Sequence, residues 1–166
     1  MENQNLQIGK PASVANQRQT NPPKRILVVD DDSEVRQLSA EVLVRSGYHV
    51  DAVEDGAVAW DALRHNSYDL LVTDHNMPKL TGVELVKKLR AAHSALPVIL
   101  VTGAMPTDEL ERHSWLKIDA TLLKPFAVAE LLGTVTKVLS ATVNASEQIA
   151  SPPSRHGWPS TTDLQL

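Results

Sequence analysis

The chain has 166 residues, 42% of them hydrophobic, with 16 Lys plus Arg against 20 Asp plus Glu for a formal charge of -4. That length suits one domain with a sizeable core, and the acidic balance excludes a general attraction to nucleic acid or anionic lipid. Cysteine is absent, which excludes disulfides and thiolate metal sites; with no apolar run of signal-peptide or membrane-span length, the expectation is a cytoplasmic protein with no membrane or nucleic-acid partner.

Residues 1–23, polar and closed by Pro22-Pro23, read as a disordered leader, and residues 142–166, with Pro152, Pro153, Gly157 and Pro159, as a disordered tail. The folded unit is expected over residues 24–141. Its first strand is Arg25 to Val29, after which Asp32 or Ser33 caps a helix through about Arg45, with Val35, Leu38, Val42 and Leu43 inward and Gly47 ending it. A second strand, Tyr48 to Val53, passes through Asp55-Gly56 to a helix over Ala57 to His65 that turns Val58, Ala59, Ala62 and Leu63 inward.

The third strand is Leu70 to Thr73, followed by a loop to Gly82 and a helix through about Ala92 carrying Val83, Leu85, Val86 and Leu89. The fourth strand is Pro97 to Val101, with Met105-Pro106-Thr107 opening a short helix to about Trp115. The fifth, Ala120 to Leu123, precedes Lys124-Pro125 and a last helix over Val128 to Ser140. Strand runs alternating with helical periods predict an α/β fold, a doubly wound parallel sheet with helices on both faces.

Four of these strands end at residues suited to phosphoryl chemistry: Asp30 with Asp31, Asp74, Thr102 and Lys124. In one parallel sheet those ends share an edge, where open α/β sheets bind ligands. Adjacent carboxylates resist joint ionisation unless a cation offsets them, and magnesium takes oxygen ligands while keeping several waters. Taken alone, Asp30 to Asp32 serve equally well as charges and caps at a helix N-terminus. Asp74 can attack phosphorus to form an acyl phosphate, Lys124 can pair with a carboxylate or a phosphoryl group, and Thr102 offers a hydroxyl donor.

Val28-Val29-Asp30-Asp31-Asp32, Asp74-His75-Asn76-Met77-Pro78 with Gly82, Val101-Thr102-Gly103 and Leu123-Lys124-Pro125-Phe126 together resemble the receiver domain of bacterial two-component response regulators, over Arg25 to Leu139. The resemblance implies a flavodoxin-like sheet of order 2-1-3-4-5, in a stand-alone, chemotaxis-type form without an output domain. It implies Asp74 as phosphoacceptor, magnesium held by Asp30, Asp31, Asp74 and the Asn76 backbone carbonyl, Lys124 on the phosphoryl group, and a cis Lys124-Pro125 bond. It makes a sensor histidine kinase or a histidine phosphotransfer protein the donor and a downstream protein the target, with no enzyme activity beyond self-phosphorylation and self-dephosphorylation. Thr102 and the residue three before Lys124 form the switch; there the chain has Thr121 in place of the family's usual aromatic, and Lys117-Ile118 in place of Gly-Ala.

Two other functions are compatible with the motifs. Asp30-Asp31-Asp32 also reads as the Asp-x-Asp of a haloacid dehalogenase-type phosphohydrolase, but the acidic pair such enzymes carry after the lysine is missing. A pseudo-receiver that binds partners without being phosphorylated would keep the fold alone.

Overall fold

The computed structural model describes residues 22–104 and 111–150, with side-chain surroundings as far as Thr142. The leader up to Asn21, the expected opening of a short helix at Met105-Pro106-Thr107 and the tail from Ser151 lie outside the described residues. Five parallel strands, β1 (Arg25–Val29), β2 (His49–Val53), β3 (Leu70–Asp74), β4 (Val98–Thr102) and β5 (Ala120–Leu123), form one sheet in the order β2-β1-β3-β4-β5. Among the described residues the helices with both ends in view are α1 (Ser33–Arg45), α2 (Gly56–His65), α3 (Gly82–Ala91) and α4 (Val128–Ala150), with a 3-10 turn at Ser114–Leu116.

β1, β3 and β4 are nearly all apolar because both faces of a doubly wound sheet are covered. Their side chains alternate between two cores. Ile26, Val28, Leu70, Val72, Ile99 and Val101 cluster with Leu43 of α1 and with Leu131 and Val135 of α4. Leu27, Val29, Leu71, Val98 and Leu100 cluster with Ala59 of α2 and with Val83, Val86 and Leu89 of α3. Asp32 caps α1 by accepting from the Glu34 and Val35 amides, and Thr81 with Glu84 closes a capping box at α3.

Four expectations need correction. Leu38 and Val58 are 55% and 43% exposed, because the faces that pack centre on Ser39 with Leu43 in α1 and on Ala59 in α2. Small residues there let the helices approach the sheet, which leaves the bulkier neighbours on the flanks. Tyr48 precedes β2 instead of opening it, its amide spent on the Leu43 carbonyl oxygen at 3.2 Å. The last helix continues to Ala150, past the expected end at Ser140 and across the expected boundary at residue 142, since no Gly or Pro intervenes before Pro152.

The turn before β5 is made without glycine at a left-handed position. Lys117 has φ 48°, and the Arg90 guanidinium braces that stretch by donating to the Leu116 and Lys117 carbonyl oxygens at 2.7 and 3.0 Å. Left-handed backbone costs an ordinary residue about 1–2 kcal/mol, a strain opposed here by charged donors.

Candidate functional site

Register builds the site. Val29 stands opposite Thr73, so the next residues, Asp30 just past β1 and Asp74 closing β3, lie side by side at the sheet's edge, each 4% exposed. Thr102 stands opposite Leu123, and the Lys124 amide donates to the Thr102 carbonyl oxygen at 2.8 Å. Lys124 thereby turns back over the edge. Its ammonium donates to Asp30 Oδ2 at 2.8 Å and lies 2.6 Å from Asp74 Oδ1, bridging the two acids. The Lys124-Pro125 bond is cis.

The remaining carboxylate oxygens are also held. Asp30 Oδ1 accepts from the Asp32 amide at 3.0 Å, and Asp74 Oδ2 accepts from the Asn76 amide at 2.6 Å. Arg36 of α1 donates to the Asp30 carbonyl oxygen at 2.7 Å and braces the acidic loop from outside. Burial raises the Asp30 pKa above the ordinary Asp value, against the attraction of Lys124. Burial works against the Lys124 ammonium too, but its bonds to Asp30 and Asp74 outweigh it and raise the Lys124 pKa.

Of the residues singled out by sequence, Asp30, Asp74 and Lys124 meet directly. Thr102 is fully buried at the next strand end, with its hydroxyl donating to the Ala104 carbonyl oxygen at 2.7 Å. Asp31 and Asn76 are exposed at the rim, and Thr121 is half-buried on β5, in register with Leu100. Gly82 is required where it stands, since a Cβ there would collide with the Asp74 carbonyl oxygen.

One buried acid at this edge escaped the sequence reading. Asp55, at the end of β2, is 2% exposed; it caps α2 and receives the Lys79 ammonium. Its Asp-Gly turn was visible in sequence, but its partner lies 24 residues away, where no local pattern points.

Among the described residues no three His, Asp or Glu side chains are drawn together as a ready metal cluster, because Lys124 occupies the space between Asp30 and Asp74. The donor set nevertheless suits a hard cation. Two buried carboxylates whose charges oppose each other, with exposed Asp31 beside them, are the one-or-two-carboxylate, water-retaining arrangement that magnesium takes.

A doubly wound sheet whose carboxyl edge holds two acids bridged by an ammonium defines an open α/β domain with a charged site at its ligand-binding edge. A family-wide profile described as the response regulator receiver domain matches residues 26–136, and the chain belongs to that family. It is 38% identical over 120 residues to response regulator MprA of Mycobacterium sp. (strain KMS), covering 72% of this chain and 52% of that protein. The chain thus spans about half the length of such relatives. It is 34% identical over 119 residues to the response regulator receiver protein CpdR of Brucella abortus (strain 2308), covering 71% of this chain and 98% of that one.

Solved structures agree. The response regulator TrrA from Thermotoga maritima, in complex with Mg(2+)-BeF, is 35% identical with a TM-score of 0.62, over 69% of this chain and 98% of that one. Chemotaxis response regulator CheY4 of Vibrio cholerae is 28% identical with a TM-score of 0.65, over 70% of this chain and 99% of that one. Among the described residues no helix is long and apolar enough to cross a membrane. The family assignment sets aside the phosphohydrolase alternative.

Proposed function

We propose that this chain acts as a cytoplasmic response regulator receiver, taking a phosphoryl group onto Asp74 from a histidine kinase or a histidine phosphotransfer protein and thereby altering its binding to a target protein. The observation that carries the reading is the Lys124 ammonium bridging buried Asp30 and Asp74 at 2.8 and 2.6 Å. Asp74 attacks the phosphorus of the donor's phosphoimidazole; an oxygen–phosphorus bond forms, the phosphorus–nitrogen bond breaks, and the imidazole keeps the electron pair and takes a proton from solvent. Lys124 is placed to transfer its attraction from the carboxylate to the incoming oxygens, and Thr102 to offer them its hydroxyl.

Asp30, Asp31, Asp74 and the Asn76 carbonyl would hold magnesium, which supplies charge neutralisation for the phosphoryl oxygens when bound. A groove of about 390 Å³, lined by Val35, Leu38, Val42, Phe126 and Val128, opens beside Lys124. It suits the apolar face of a donor helix.

Incubation with magnesium and a small phosphodonor should add one phosphoryl group to the wild type and none to Asp74→Asn, read by intact mass and peptide mapping. Absence of the adduct in the wild type would favour the pseudo-receiver. Asn76 and Ala104 are exposed and small, so water reaches the acyl phosphate and its lifetime is short. Asn76→Arg should slow decay by covering the approach of water with a longer side chain; an unchanged decay rate counts against that access route.

A further inference from the structure

The Lys79–Asp55 pair joins two elements that the site needs in fixed relation. Lys79 lies in the loop between Asp74 and α3, and Asp55 lies at the end of β2. Asp55 Oδ1 accepts from the Ala57 and Val58 amides at 2.8 and 2.9 Å, which leaves Oδ2 for the Lys79 ammonium at 2.5 Å. The loop also touches α2 by close approach: a Cβ on Gly56 would fall 2.5 Å from the Leu80 carbonyl oxygen.

Lys79 holds a left-handed backbone, φ 66°, and its side chain is 65% exposed against 3% for Asp55. A pair with one arm in solvent adds little to stability, and the left-handed conformation subtracts from it. Folding stability therefore does not account for a lysine at this position. Met77 and Leu80 anchor the same loop in the apolar core, but apolar contact is non-directional. The ion pair supplies the missing direction, between the Asn76 carbonyl and the start of α3.

We propose that Lys79 is a positioning residue, an electrostatic latch on Asp55 that orients the loop after Asp74 so that Asp74 and the Asn76 carbonyl are set for the cation and the phosphoryl group. Given the reading of Asp74 as phosphoacceptor, on which this rests, the latch acts before any phosphoryl group arrives. It adds no contact to the reacting atoms.

The test uses the full chain in five forms: wild type, Lys79→Met, Lys79→Arg, Asp55→Asn, in which asparagine keeps the helix cap, and the Lys79→Met/Asp55→Asn double variant. Magnesium affinity is measured by calorimetry with the metal alone, and amide exchange of residues 75–80 in metal-free protein. Lys79→Met should weaken magnesium binding by about tenfold, the low end for an outer-shell partner, and speed exchange in that loop by about fivefold. Lys79→Arg should stay near wild type, and the double variant should lose no more than the worse single one.

Unchanged magnesium affinity and exchange in Lys79→Met overturn the latch, as do additive losses in the double variant or a wild type that binds no magnesium. Should Lys79→Met fail to fold, Lys79→Gly, which relieves the backbone while removing the charge, is read against the same outcomes. A wild type that binds magnesium but takes no phosphoryl group sinks the function proposed above, while the exchange and affinity measurements still decide the latch.

Discussion

Lys124→Met is expected to destabilise the metal-free protein by about 3 kcal/mol at neutral pH, the lower end for removing one partner of a buried ion pair. The variant leaves Asp30 and Asp74, each 4% exposed, facing one another with no cation between them. The penalty has a ceiling, because one acid can take a proton, and protonating an ordinary carboxyl at pH 7 costs about 4 kcal/mol. Asp30 already has a folded-state pKa above its ordinary value through burial. Its ionisation withdraws stability as pH rises through that pKa, and removing Lys124 moves the pKa higher still. The deficit should therefore narrow as pH falls through the carboxylate range, and narrow at neutral pH when magnesium is added. Urea unfolding at pH 7 and pH 5 reads both; a deficit that persists undiminished on acidification contradicts this account.

Arg90→Met should lower the unfolding free energy by about 3 kcal/mol, from the loss of several charged hydrogen bonds worth about 1.5–3 kcal/mol each, partly regained by water at the freed carbonyls. Arg90 donates to the carbonyl oxygens of Leu116, Ser94, Leu96 and Lys117 at 2.7, 2.8, 3.0 and 3.0 Å. The end of α3, the approach to β4 and the turn before β5 are thus fastened by one side chain. Arg90→Lys should recover less than half of the loss, since an ammonium cannot span the planar fork of donors that a guanidinium presents. Denaturant midpoints of the three proteins check this, and a loss below about 1 kcal/mol in Arg90→Met would mean that the carbonyls find equal partners in water.

The sheet was legible because strands covered on both faces read as unbroken apolar runs, and the acids closing those runs marked its carboxyl edge. The stripe of Val83, Leu85, Val86 and Leu89 is buried throughout, as its helical period requires. Leu38 and Val58 misled because periodicity locates an apolar stripe without saying where its centre packs. Ser39, nearly buried between Val35 and Leu43, shows that a small polar residue can mark the contact line better than a leucine. Partners distant in sequence were the other blind spot. Asp55 with Lys79, and Arg90 with Lys117, are pairings set by the folded chain, and neither leaves a local signature.

The resting Thr102 hydroxyl is already committed, donating to the Ala104 carbonyl oxygen at 2.7 Å. In the role proposed here, anything that recruits it must outcompete a good neutral hydrogen bond. A phosphoryl oxygen, whose charge makes such a bond roughly twice as strong, can do so. Water offers no more than another neutral bond, so under the proposed function the threonine keeps its Ala104 partner until a phosphoryl oxygen stands at the acids.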